Sequence, residues 1–140
     1  MKSDEVWIVD DDRSIRWVMD KALTSAGIKH KTFSSAFDVR KQLSISYPAA
    51  VITDIRMPDE DGLSLLDYFL EKVPNTPVII MTAHADLDAA ISSYSRGAFE
   101  YLPKPFDLDE AIHLISRALE RHKESINEIK GDAERQNFPQ

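Results

Sequence analysis

Cysteine is absent from the 140 residues, which excludes disulfides, thiolate metal sites and thiol catalysis. No apolar run approaches the roughly 20 residues that span a bilayer, and the polar opening Met1-Lys2-Ser3-Asp4-Glu5 carries no signal-peptide pattern. The expectation is a cytoplasmic protein without membrane contact. Basic residues are the minority, 17 against 24 acidic, for a net charge of −7. That balance argues against a nucleic-acid contact within this domain. Histidine is scarce, and His30, His113 and His122 lack any carboxylate spacing that suggests a metal site. There is no Walker-type phosphate loop, internal repeat or low-complexity segment. What remains is an ordinary globular composition, 43% hydrophobic and 29% charged, in a chain long enough for one domain with a real core.

The most informative stretch is AAVITDIRMPDEDG, residues Ala49 to Gly62. Ala49 to Thr53 has the small, apolar and β-branched pattern of a short strand buried on both faces, and the run stops at a carboxylate, Asp54. Upstream, Glu5 to Val9 predicts a first strand ending in Asp10-Asp11-Asp12. A helix from about Ser14 puts Ile15, Val18, Met19, Ala22, Leu23 and Ala26 inward, leaves Trp17 off the stripe and stops at Gly27. Ile28 to Phe33 is a more polar strand suited to a sheet edge. Ser34-Ser35 precede a second helix with Ala36, Val39 and Leu43 inward.

Downstream, a third helix from about Leu63 carries Leu66, Phe69, Leu70 and Val73 inward. Pro77 to Met81 predicts a buried strand ending at Thr82. Asp86 is placed to cap a fourth helix with Leu87, Ala90, Ile91 and Tyr94 inward and Gly97 as its stop. Phe99 to Leu102 predicts a last strand running into Pro103-Lys104-Pro105. Asp107 and Glu110 have capping-box spacing for a fifth helix with Leu108, Ala111, Ile112, Ile115 and Leu119 inward. Five strand–helix alternations predict an α/β fold, a parallel sheet with helices on both faces, in a single domain over residues 1–122. Residues 123–140 are polar and mixed in charge, either a linker or a frayed helix extension.

Four predicted strand ends carry polar residues: the aspartate run, Asp54, Thr82 and Lys104. In a parallel sheet these ends share one edge, where open α/β sheets keep their ligand sites. Carboxylates gathered there repel one another, and a hard divalent cation such as Mg²⁺ relieves them. A lysine and a threonine hydroxyl nearby suit phosphoryl oxygens. Carboxylate, metal, ammonium and hydroxyl together point to phosphoryl transfer onto Asp54 by in-line displacement.

VWIVDDDRSIRWVM, TDIRMPDEDGL, VIIMTAHADLDAAI and GAFEYLPKPFD, in that order, resemble the receiver domain of two-component response regulators, from the first strand to about residue 122. They lie closest to receivers of nitrogen-regulation transcription activators. The resemblance implies a flavodoxin-like (βα)5 fold, a doubly wound five-stranded sheet of order 2-1-3-4-5, with a cis Lys104–Pro105 bond. It implies Asp54 as phosphoacceptor, with Asp11, Asp12, Asp54 and the Arg56 backbone carbonyl holding Mg²⁺. Thr82 and Lys104 would bind the phosphoryl group, and Tyr101 would be the switch aromatic. His84 lies where family side chains modulate loss of the phosphoryl group.

The implied partners are a sensor histidine kinase as donor and the chain's own output domains, an ATPase and a DNA-binding domain. A phosphorylation-dependent dimer is a further implied partner. The product is a switch state and not a released metabolite, so no enzyme acting on an external substrate is expected. Two alternatives share this chemistry. One is a Mg²⁺-dependent phosphatase with an aspartyl-phosphate intermediate, although in such enzymes the nucleophile opens the chain and the acidic pair comes late. The other is a stand-alone receiver acting as a phosphate shuttle.

Overall fold

The computed structural model describes residues 4–83 and 87–136. Five strands and five helices alternate: β1 (Val6–Val9), α1 (Arg13–Ser25), β2 (His30–Phe33), α2 (Ala36–Leu43), β3 (Ala50–Asp54), α3 (Gly62–Lys72), β4 (Val78–Thr82), α4 (Leu87–Arg96), β5 (Glu100–Pro103) and α5 (Leu108–Gln136). The strands pair in parallel in the order β2-β1-β3-β4-β5, the flavodoxin-like order expected.

Strand periodicity divides the core in two. Val6, Ile8, Ala50, Ile52, Ile79, Met81 and Leu102 face one way and pack with Met19 and Leu23 of α1 and Ala111 and Ile115 of α5. Trp7, Val9, Val51, Val78 and Ile80 face the other way, with Val39 and Leu43 of α2 and Leu65, Leu66 and Phe69 of α3. Each large side chain so buried contributes roughly 1.5–3 kcal/mol, and burial on both faces explains why these strands read as near-continuous apolar runs. The Trp7 indole N–H donates to Glu5 Oε1 at 3.1 Å. β2 is the polar edge strand, its Lys31 and Thr32 exposed.

Side chains set the helix starts. Asp12, Ser35 and Asp61 accept from the backbone N–H of Ser14, Asp38 and Ser64, and Asp107 from that of Asp109 at 2.8 Å. Gly27 and Gly97 follow α1 and α4 with φ of 71° and 115°, values a side chain would resist.

Several inward positions differ from the sequence expectation. Ala26 is exposed because it is already the C-cap of α1. On α4, Ala90 and Ser93 are buried while Ile91 and Tyr94 are 55% and 40% exposed. The small residues, not the large ones, let this helix lie close on the sheet. Leu108 opens α5 and is exposed, whereas Leu114 and Ala118 join the core beside Ala111 and Ile115. Helix α5 continues to Gln136, so residues 123–136 are helix and not an irregular linker. Trp17 is exposed, as its position off the stripe implied. The cap expected from Asp86 lies outside the described residues.

Candidate functional site

Register builds the site. Val9 of β1 lies opposite Thr53 of β3, so Asp10, the next residue, falls beside Asp54. Asp54 lies opposite Met81, which places Thr82 one step beyond it, and Thr82 lies opposite Pro103, which places Lys104 one step further along the same edge. The ladder carries on past the strand ends. Asp10 N–H donates to Phe33 C=O at 3.0 Å, Ile55 N–H to Met81 C=O at 3.0 Å and Lys104 N–H to Thr82 C=O at 2.6 Å. The polar residues therefore stand on rigid backbone at the carboxyl edge of the sheet. The Lys104–Pro105 bond is cis.

The Lys104 ammonium bridges two carboxylates, 2.8 Å from Asp10 Oδ2 and 3.3 Å from Asp54 Oδ2. Asp10 is fully buried, and its carbonyl accepts from Arg16 at 2.7 Å. Carboxylate oxygens of Asp10, Asp11 and Asp54 lie within 4.8 Å of one another. Burial raises the Asp54 carboxyl above its usual range. The charge of Asp10 adds to this, while Lys104 and a backbone hydrogen bond from Arg56 oppose it. Burial pulls the Lys104 ammonium down, but its hydrogen bond to Asp10 and the charges of Asp10 and Asp54 leave it above its usual value.

The carboxylates that lie together are not those of the expected pair Asp11 and Asp12. Asp12 is not in the carboxylate cluster: its side chain accepts from Ser14 N–H at 2.8 Å and caps α1. Asp10, a member of the aspartate run that the resemblance leaves out of the metal set, stands beside Asp11 and Asp54. The missed signal was available, since Asp10 directly follows the last strand residue and Asp12 stands two before a serine at a helix start. Three further acids are spent on structure: Asp61 caps α3, while Asp59 and Glu60 bind α2.

Thr82 is buried beside Asp54 by register. Tyr101 is half-buried and meets Tyr94 of α4 edge to face, ring centroids 5.3 Å apart. His84 lies outside the described residues.

The donor set is all hard oxygen, with three carboxylates against one ammonium. Ligands of Mg²⁺ at about 2.1 Å are at most roughly 4.2 Å apart, and these oxygens, all within 4.8 Å of one another, need only small side-chain shifts to share one ion. The residues fit that ion.

A family model of the response regulator receiver domain matches residues 6–116. The chain is 54% identical over 124 residues to the DNA-binding transcriptional regulator NtrC of Proteus hauseri, covering 89% of this chain and 26% of that protein. It is 53% identical over 119 residues to NtrC of Escherichia coli K12, covering 85% and 25%. The chain thus spans about a quarter of the length of these curated relatives. Among solved structures, the BeF3-activated receiver domain of nitrogen regulatory protein C is 52% identical with a TM-score of 0.75, covering 87% of this chain and 98% of that one.

Proposed function

The chain belongs to the response regulator receiver family, and we propose that it is the phosphorylation-driven switch of an NtrC-type activator of nitrogen regulation. In this reading Asp54 takes a phosphoryl group from the phosphohistidine of a sensor kinase. An Asp54 carboxylate oxygen attacks phosphorus in line, the P–N bond to the histidine breaks, and the electron pair leaves with the imidazole. The observation that carries the proposal is the Lys104 ammonium bridging Asp10 and Asp54, beside the Asp10, Asp11 and Asp54 oxygens at one sheet edge.

Mg²⁺, held by Asp11, Asp54 and the Arg56 carbonyl with Asp10 behind them, would neutralise charge building on the transferring phosphoryl oxygens. Lys104 supplies a second positive contact on those oxygens, and Asp10 keeps its ammonium aimed at Asp54. Thr82 gives a hydroxyl donor from the neighbouring strand. Once new charge and acceptor oxygens sit at Asp54, Thr82 turning toward them leaves space behind it for Tyr101. Tyr94 touches Tyr101, so α4 would follow. The phosphoryl group biases an equilibrium between two arrangements of α4. His84 would tune how long it stays.

The partners in this proposal are the sensor kinase, the ATPase and DNA-binding output domains of a longer protein, and a second copy on phosphorylation. The test is intact-mass analysis after incubation with Mg²⁺ and acetyl phosphate. One added phosphoryl group in wild type, lost without Mg²⁺ and in Asp54→Asn, is expected. Steady release of inorganic phosphate with no adduct leaves either a very short-lived aspartyl phosphate or an aspartyl phosphatase.

A further inference from the structure

Residues 55–61, which follow Asp54, form a closed loop: Gly62 N–H donates to Ile55 C=O at 2.7 Å. Helix α2 grips its far side at two points. The Asp59 carboxylate accepts from the first backbone N–H groups of α2, Phe37 at 2.9 Å and Ala36 at 3.4 Å, where the helix dipole favours an anion. One residue on, Glu60 is held in a two-pronged pair: Arg40 Nε donates to Oε1 at 2.9 Å and Nη2 to Oε2 at 2.7 Å. The guanidinium of Arg40 also stacks on the ring of Tyr68 from α3, 4.2 Å from its centroid. Arg40 thus ties α2, the loop and α3 together in a half-buried setting, with Arg40 35% and Glu60 20% exposed. A two-pronged, stacked arginine is worth more than an open surface pair, because its geometry is fixed from two sides.

We propose that Arg40 is a positioning residue for the metal-dependent chemistry at Asp54, acting through Glu60 on the loop that carries the Arg56 carbonyl. This rests on the receiver reading above. Arg56 lies four residues before Glu60 in a short loop closed at its base, so freeing Glu60 and Asp59 from α2 loosens the Arg56 carbonyl. A donor loosened by about 1 Å is enough to weaken a site whose first shell is otherwise intact. The aspartates, Lys104 and Thr82 stand on strand ends and are independent of this clamp. Its loss should therefore show in metal affinity and not in the folding of the sheet.

The test uses the 140-residue chain with Arg40→Met, which keeps an apolar stem over Tyr68, Glu60→Gln, and the double variant. Mg²⁺ affinity is measured by calorimetric titration, and the rate of aspartyl-phosphate formation is followed against Mg²⁺ and against acetyl phosphate separately. Each single variant is expected to bind Mg²⁺ about 10-fold more weakly, the low end of what losing an outer partner costs. The double variant is expected to be no worse than either single one, since one interaction is removed in all three. At saturating Mg²⁺ the dependence on acetyl phosphate should match wild type. Unchanged Mg²⁺ affinity with only a lower melting temperature overturns the proposal and leaves Arg40 a structural contact. If wild type itself neither binds Mg²⁺ nor gains a phosphoryl group, the receiver reading falls and Arg40's role with it.

Discussion

Asp54 is ionised at a cost. Burial and the charge of Asp10 hold its carboxyl above the ordinary aspartate range, so the folded, metal-free protein grips that proton more tightly than the unfolded chain does. The penalty is absent below the ordinary value, about 3.9, and grows as pH rises through the raised one. Asp54→Asn should then melt a few degrees above wild type at pH 7 without metal, a gain that narrows toward pH 4 in a calorimetric series. Lys104 works the other way. Removing it in Lys104→Met strands the fully buried Asp10, at a cost of about 3 kcal/mol in denaturant unfolding. Asp10→Asn with Lys104→Met should recover much of that loss. Asp54 and Lys104 were legible in the sequence because each stops an apolar run. Which two of three consecutive aspartates join Asp54 is legible only from the last residue of β1, Val9, and from the helix start that claims Asp12, because the chemistry of the three is the same.

Each helix start in this edge of the molecule is a local device that competes with the site for acids. Asp12→Ala removes the α1 cap and should cost about 1 kcal/mol while leaving Mg²⁺ affinity nearly unchanged. Asp11→Asn should do the reverse, and titration calorimetry beside thermal melts separates the two. Gly62 opens α3 directly against the end of β3: a Cβ there would collide with the Asp54 carbonyl oxygen and come within 2.8 Å of Ile55 Cα. Gly62→Ala should therefore cost roughly 1–3 kcal/mol and slow phosphorylation by moving Asp54. Element order, strand centres and most caps could be read from periodicity and from Ser, Asp and Gly punctuation. The inward face of α4 was legible only at Ala90, since apolar spacing also favours Ile91 and Tyr94, which lie outside, whereas close packing selects Ser93. The clamp through Arg40 was equally hidden, because nothing local links residue 40 to residue 60.

Across the whole molecule, the sheet is the deeply buried part and α4 the more exposed one. Strands β3 and β4 are buried on both faces, apart from Asp54 at the strand end, while α4 offers mainly small side chains inward and leaves Ile91 and Tyr94 outside. Hydrogen exchange should be faster for backbone in residues 88–96 than in 50–54 and 78–82. Adding Mg²⁺ and acetyl phosphate should change α4 most, and uniform change over the chain would count against a switch centred there. The strand order followed from resemblance, and the alternation of elements gave its class. The register that gathers Asp10, Asp54, Thr82 and Lys104 at one edge of the sheet is a product of assembly.

The most direct single measurement is to trap the acyl phosphate where it forms. Treating the phosphorylated chain with borohydride reduces an aspartyl phosphate to homoserine, and peptide mass mapping then locates it. Homoserine at position 54 alone, dependent on Mg²⁺, is the expected result. Homoserine at Asp10 or Asp11 and not at position 54 would contradict Asp54 as the acceptor.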